Sequence, residues 1–99
     1  MRTFSRVTLV VICMALLGPA SQAIAAAEKN TNRPGGDYTN VTLPHKADPK
    51  ACHKLCNADP VCRAWTYVKA GVQAANPRCW LKNVVPPPVN SPCCVSGVK

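Results

Sequence analysis

Six of the chain's seven cysteines fall between Cys52 and Cys94, and no other feature constrains the fold as tightly. Whether such sulfurs pair with one another depends on compartment: exported chains form disulfides, whereas cytosolic ones keep their thiols reduced. The amino terminus bears on that question. Arg2 and Arg6 flank an apolar run from Val7 to Leu17, broken only by Thr8, before Gly18, Pro19 and a series of small residues. A bilayer core of about 30 Å takes about 20 apolar residues to cross, so the run is too short to span it. Its order of charged, apolar and small segments is that of a secretory leader. Residues 1–27 are therefore read as a signal peptide cleaved after Ala23, Ala25 or Ala27, and Cys13 leaves with it. The rest, 28–99, is expected to be one domain, secreted or periplasmic.

At 72 residues, that domain is too small for a multi-domain enzyme, a dinucleotide-binding fold or a large buried active site. Ordering each residue costs about 1.5 kcal/mol, which a core of this size barely offsets. Cross-links that restrict the unfolded chain then decide the balance. An even set of Cys52, Cys56, Cys62, Cys79, Cys93 and Cys94 in an exported chain reads as such a framework. Charge is the second constraint. The whole chain carries +8, and loss of Arg2 and Arg6 leaves +6.

Along the domain, Glu28 to Gly36 is polar and aperiodic, which reads as a loose lead-in ending in a Pro34-Gly35-Gly36 turn. Tyr38 to Leu43 alternates like a strand and stops at Pro44. Asp48 is placed to cap a helix, with Pro49 at its first position, where a missing N–H costs nothing. The helix runs from Lys50 to about Ala58 and cannot continue past Pro60. Spacing by four places Cys52 and Cys56 on one face, with Lys50, His53 and Lys54 on a basic one. Cys62 to Val68 and Cys79 to Lys82 read as strands separated by a Gly/Ala/Asn/Pro loop. Pro86-Pro87-Pro88 imposes an extended excursion, and Cys93 to Lys99 reads as a last strand.

Arg33-Pro-Gly-Gly-Asp37, Cys52-x3-Cys56-x5-Cys62, Cys79-Trp-Leu-Lys82 and Val95-Ser-Gly97, in that order, resemble the PAN/apple domain over about residues 32–99. The cysteine spacing is the specific part; the Gly-Gly-Asp and Val-Ser-Gly pieces corroborate it. The resemblance implies a small disulfide-rich α+β fold with one helix packed on a short antiparallel sheet. It also implies Cys52–Cys79 and Cys56–Cys62 bonds. Chain-entropy estimates for loops of these sizes are about 3.6 and about 2.4 kcal/mol. The family's further bond between termini has no counterpart, because no cysteine lies between Ile24 and Ala51. The departure is the adjacent pair Cys93-Cys94. It is open to a vicinal disulfide, to free or intermolecular thiols, or to displacement of another partner; the vicinal bond is carried forward.

Other chemistries find little in the sequence. Zinc sites favour paired Cys-x2–4-Cys knuckles, and Cys52-x3-Cys56 has no second knuckle, so no metal and no cofactor is expected. Glu28, Asp37, Asp48 and Asp59 each sit in a lead-in, turn or cap, Asp37 beside the Gly-Gly turn. His45 and His53 have no evident catalytic partner. The resemblance implies a non-catalytic module that binds protein or carbohydrate, and the positive excess points to a polyanionic ligand. Candidate contacts are Lys46, Lys50, His53 and Lys54 as one patch, with Arg63, Arg78 and Lys82 as a second. Trp65 is assigned to the core and Trp80 is left open as a stacking surface. Nucleic acid and stable membrane insertion are not expected. Two alternatives from other classes are a cationic membrane-active miniprotein and a redox protein using Cys93 and Cys94. Asn40-Val41-Thr42 is a glycosylation sequon in a eukaryotic secretory pathway.

Overall fold

A computed structural model describes residues 26–99; residues 1–25, with Cys13 and most of the expected leader, lie outside the described residues. Five strands form one antiparallel sheet: β1 (Glu28–Asn32), β2 (Asp37–Thr42), β3 (Ala64–Val68), β4 (Arg78–Lys82) and β5 (Val89–Val98). Their spatial order is β1-β5-β3-β4-β2, so β3 is central. Helix α1 (Pro49–Ala58) packs against β3, β4 and β5. The architecture is thus a small disulfide-bonded α+β fold with a single helix on the sheet.

Local chemistry explains the helix. The Asp48 carboxylate accepts the N–H of Lys50 at 3.0 Å, and Pro49 occupies the first turn. At the other end Asp59 turns extended, its N–H donating to the Cys56 carbonyl at 3.2 Å, and Pro60 blocks any further turn. Cys52 and Cys56 both point inward and are wholly buried. Cys52 is bonded to Cys79 in β4, 27 residues away, and Cys56 to Cys62, 6 residues away. Cys93 and Cys94 are bonded to each other within β5.

The sheet's two faces follow from strand alternation. Trp65, Tyr67, Cys79 and Leu81 lie under α1, where they join Leu43, Cys52, Cys56 and Cys62 in the core. Tyr67 stands opposite both Cys79 and Val95, and its hydroxyl donates to the Ala47 carbonyl at 2.6 Å, pinning the approach to the helix. His53 stacks on Trp65 with ring centroids 5.2 Å apart. On the other face stand Thr66, Val68, Trp80 and Lys82.

Three strands differ from the sequence reading. Glu28 to Asn32 is strand β1, not a loose lead-in: it pairs with β5 across a bulge between Lys29 and Thr31. Asn30, at φ 51°, makes that bulge, a conformation Asn tolerates well. An edge strand held by backbone hydrogen bonds needs no apolar face. β5 in turn begins at Val89 because Thr31 and Asn32 pair with Asn90 and Val89. β3 starts at Ala64 and not at Cys62, whose N–H is turned back to the Asp59 carbonyl at 3.1 Å.

One close approach is testable. A Cβ on Gly97 would sit 2.6 Å from the Trp65 indole, which is fully buried and cannot retreat. Gly97→Ala is expected to cost about 1–3 kcal/mol by overpacking, read as a lowered midpoint in urea unfolding.

Candidate functional site

The face of the sheet away from α1 carries a cavity of about 330 Å³. Its floor is Thr66 and Val68 of β3 with Trp80 and Lys82 of β4; its walls come from the Pro34-Gly35 turn, Asp37, Gln73 and the Cys93–Cys94 bond. Two Gly-Gly turn properties shape one wall. Gly36 has φ 71°, and a Cβ there would meet Val84 Cγ2 at 2.5 Å, so only glycine lets the turn lie this close to the segment after β4.

That turn delivers Asp37 to Lys82. The Lys82 side chain is 2% exposed, and its ammonium donates to Asp37 Oδ1 at 2.6 Å and to the Gly35 carbonyl at 3.1 Å. An ammonium has three protons to give, so one remains. Behind it, Ser96 Oγ donates to the Thr31 carbonyl at 2.8 Å, so the 2.7 Å contact between Thr66 and Ser96 has Thr66 as donor. Trp80 is half-buried, its Nε1–H donating to Gln73 Oε1 at 3.0 Å. The indole edge is satisfied while the ring borders the cavity.

The cationic candidates do not form two patches. Lys46, Lys50 and Lys54 are exposed on and before α1. His53, half-buried, stacks its ring on Trp65. Lys82 is a correction, being buried in an ion pair on the opposite side of the sheet. Arg78 lies at the other end of β4, half-buried, with Nη1 donating to Asn40 Oδ1 at 3.1 Å. Arg63 is exposed ahead of β3, its backbone N–H donating to the Lys82 carbonyl at 2.7 Å. Alternation along β3 and β4 gives away which face a residue takes, but not that a buried lysine will find its aspartate 45 residues away.

All four acidic side chains work within the fold. Glu28 holds Arg33 through two hydrogen bonds, at 2.9 and 2.7 Å, and Arg33 also donates to the Pro86 carbonyl. Asp37 takes Lys82, and Asp48 caps α1. Asp59 accepts the Tyr38 hydroxyl at 2.6 Å and the Val61 N–H at 2.9 Å. Hydrogen bonding to Arg33 holds Glu28 below the usual carboxylate range, and the Tyr38 hydroxyl does the same for Asp59. Burial first, and Asp59 second, push Tyr38 up to about 12. Among the described residues the other eight basic side chains have no carboxylate within ion-pair distance. All six described cysteines are in disulfides, and the described residues hold no cluster of three or more metal-ligating side chains.

Comparison with known families gives a match to the PAN domain over residues 31–82, a little over half of the chain. The chain belongs to the PAN domain family. The matched stretch begins in β1 and ends at Lys82, so it takes in the Gly-Gly-Asp turn, α1 and both long-range partners, Cys79 and Lys82. PAN domains are disulfide-rich and usually extracellular, and they serve as protein- or carbohydrate-binding modules, typically non-catalytic. No curated protein and no solved structure matches this PAN domain.

The electrostatics predict opposite pH limbs. Glu28 and Asp59 have lowered folded-state values, so their stabilisation is present above about pH 4 and is lost as pH falls through those values. Tyr38 has a raised value, so its contribution is present below about pH 10 and fades as pH rises toward 12. Thermal unfolding across pH is expected to show both limbs. Tyr38→Phe is expected to remove its part of the alkaline one, and phenolate absorbance of the wild type is expected to show one tyrosine titrating near 12.

Proposed function

We propose that this PAN domain is an exported, non-catalytic binding module for an anionic partner, protein or carbohydrate, met through its cationic surface. The observation that carries this reading is the disposal of the acids. With Glu28, Asp37, Asp48 and Asp59 each engaged inside the fold, the positive side chains outside face solvent with no internal carboxylate to neutralise them. A surface of that kind draws anions over distances of the order of the Debye length, about 8 Å at physiological salt. Lys46, exposed just ahead of α1, and Lys50 and Lys54, exposed on it, are the contacts proposed, with Arg63 as a flanking cation.

Export is supported by the leader-like amino terminus together with three disulfides in a domain of this size. Among the described residues no helix is long and apolar enough to cross a membrane.

The test is retention on immobilised heparin, used as a sulfated polysaccharide, with salt elution. The wild type is expected to bind at low ionic strength and to elute as salt rises. Lys46→Glu/Lys50→Glu/Lys54→Glu is expected to weaken binding at least about tenfold. A wild type that passes straight through at low salt, or a triple variant retained like it, contradicts the proposal.

A further inference from the structure

Of the three disulfides among the described residues, two belong to the core under α1 and one does not. Cys52, Cys56, Cys62 and Cys79 all join that core, whereas Cys93 and Cys94 sit in β5 on the wall of the cavity behind the sheet. We infer that Cys93–Cys94 is a thiol–disulfide exchange site: it passes its bond to a dithiol partner and is left as two thiols, while the other two bonds stay closed.

The fold does not depend on this bond. Cys52–Cys79 spans 27 residues and Cys56–Cys62 spans 6, but Cys93–Cys94 joins neighbours. A cross-link stabilises mainly by restricting the unfolded chain, and one between neighbours restricts it very little. Backbone pairing holds β5 in place at the same point. Cys94 stands opposite Val68, and the Cys93 carbonyl accepts the Lys69 N–H at 3.1 Å.

The two residues are not equivalent. Cys94 is 1% exposed, while Cys93 is half-buried, so an incoming thiolate is offered Cys93. Ser91 Oγ lies 3.2 Å from Cys93 Sγ, and a disulfide sulfur has no proton, so the hydroxyl is the donor. Once the bond opens, the same hydroxyl can donate to a Cys93 thiolate. The Lys69 ammonium, held at 2.8 Å on the Pro92 carbonyl, places a positive charge one residue away. A nearby cation favours the thiolate, which is the reactive form.

The exchange balances between two partners. A thiolate of the dithiol attacks Cys93 Sγ, the Cys93–Cys94 bond breaks, and Cys94 leaves as a thiolate that takes up the proton the attacking thiol gave up. The partner's second thiol, deprotonated in turn, attacks the partner's own sulfur in the mixed disulfide. Cys93 leaves and takes up that second proton. Two electrons and two protons thus pass to this chain, and the partner's dithiol becomes a disulfide. The transfer is stoichiometric, one per chain, and involves none of Lys46, Lys50 or Lys54, so it stands apart from the cationic surface.

The test uses the full mature chain with its disulfides formed. It is mixed with limiting dithiothreitol, or with a reduced unstructured peptide carrying two cysteines. Free thiols are then trapped by alkylation and located by peptide mass spectrometry. Cys93 and Cys94 are expected to be alkylated, mole for mole with reductant oxidised, while the other four cysteines stay paired and the circular dichroism spectrum is unchanged. Exchange with dithiothreitol alone makes the partner a small dithiol; exchange with the peptide as well extends it to a flexible chain segment. Offered glutathione disulfide, Cys94→Ser is expected to capture glutathione at Cys93. Cys93→Ser is expected to capture it at least about tenfold more slowly, because Cys94 is buried. Thiols that appear at all six positions together overturn the inference. So does a Cys93–Cys94 bond that stays closed until the fold is lost, or equal capture by the two single variants.

Discussion

The bond between Cys52 and Cys79 is what the remaining structure depends on. It runs from the inward face of α1 to the strand next to the centre of the sheet, closing a separation of 27 residues. Cys56–Cys62 then ties the end of the helix to the turn that enters β3, so one face of a ten-residue helix is fixed twice. Without such links a helix of this length is marginal in water, and among the described residues the buried core beneath it holds two large aromatic side chains, Trp65 and Tyr67, with Tyr38 packed at its margin. His53 stacked on Trp65 and the Tyr67 hydroxyl on Ala47 align what the sulfurs hold together.

With one face of the sheet used for folding, the other is free for chemistry. β4 shows the division within five residues: Cys79 and Leu81 face the helix, while Arg78, Trp80 and Lys82 face away. The same Gly-Gly-Asp turn that closes the edge of the sheet supplies the carboxylate for Lys82. Two surfaces of different chemistry result, a cationic one on the helix side and a partly apolar cavity behind it.

Much of this was legible in the sequence, and the reasons are specific. The Asp48-Pro49 start, the Pro60 stop and the four-residue cysteine spacing mark α1 through local rules alone. The alternation around Trp65 marks β3. Residues 28–32 carry no such mark, because an edge strand of polar residues is stabilised by its partner β5 and not by its own side chains. Lys82 counted as a surface cation for a related reason. Composition reports a charge, whereas burial against Asp37 is set by strands and turns far away in sequence. The cavity was invisible until β3, β4 and the Asp37 turn were placed side by side, although Trp80 already stood out as an aromatic without an assigned place in the core.

The most direct test is the stability of paired cysteine replacements measured by denaturant unfolding. Cys52→Ala/Cys79→Ala is expected to lose about 3.6 kcal/mol, more than the about 2.4 kcal/mol expected for Cys56→Ala/Cys62→Ala, because it opens the longer loop. Loss of folding in the first pair with retention in the second would agree with the same ordering. A Cys52→Ala/Cys79→Ala protein that unfolds at the wild-type midpoint would contradict it.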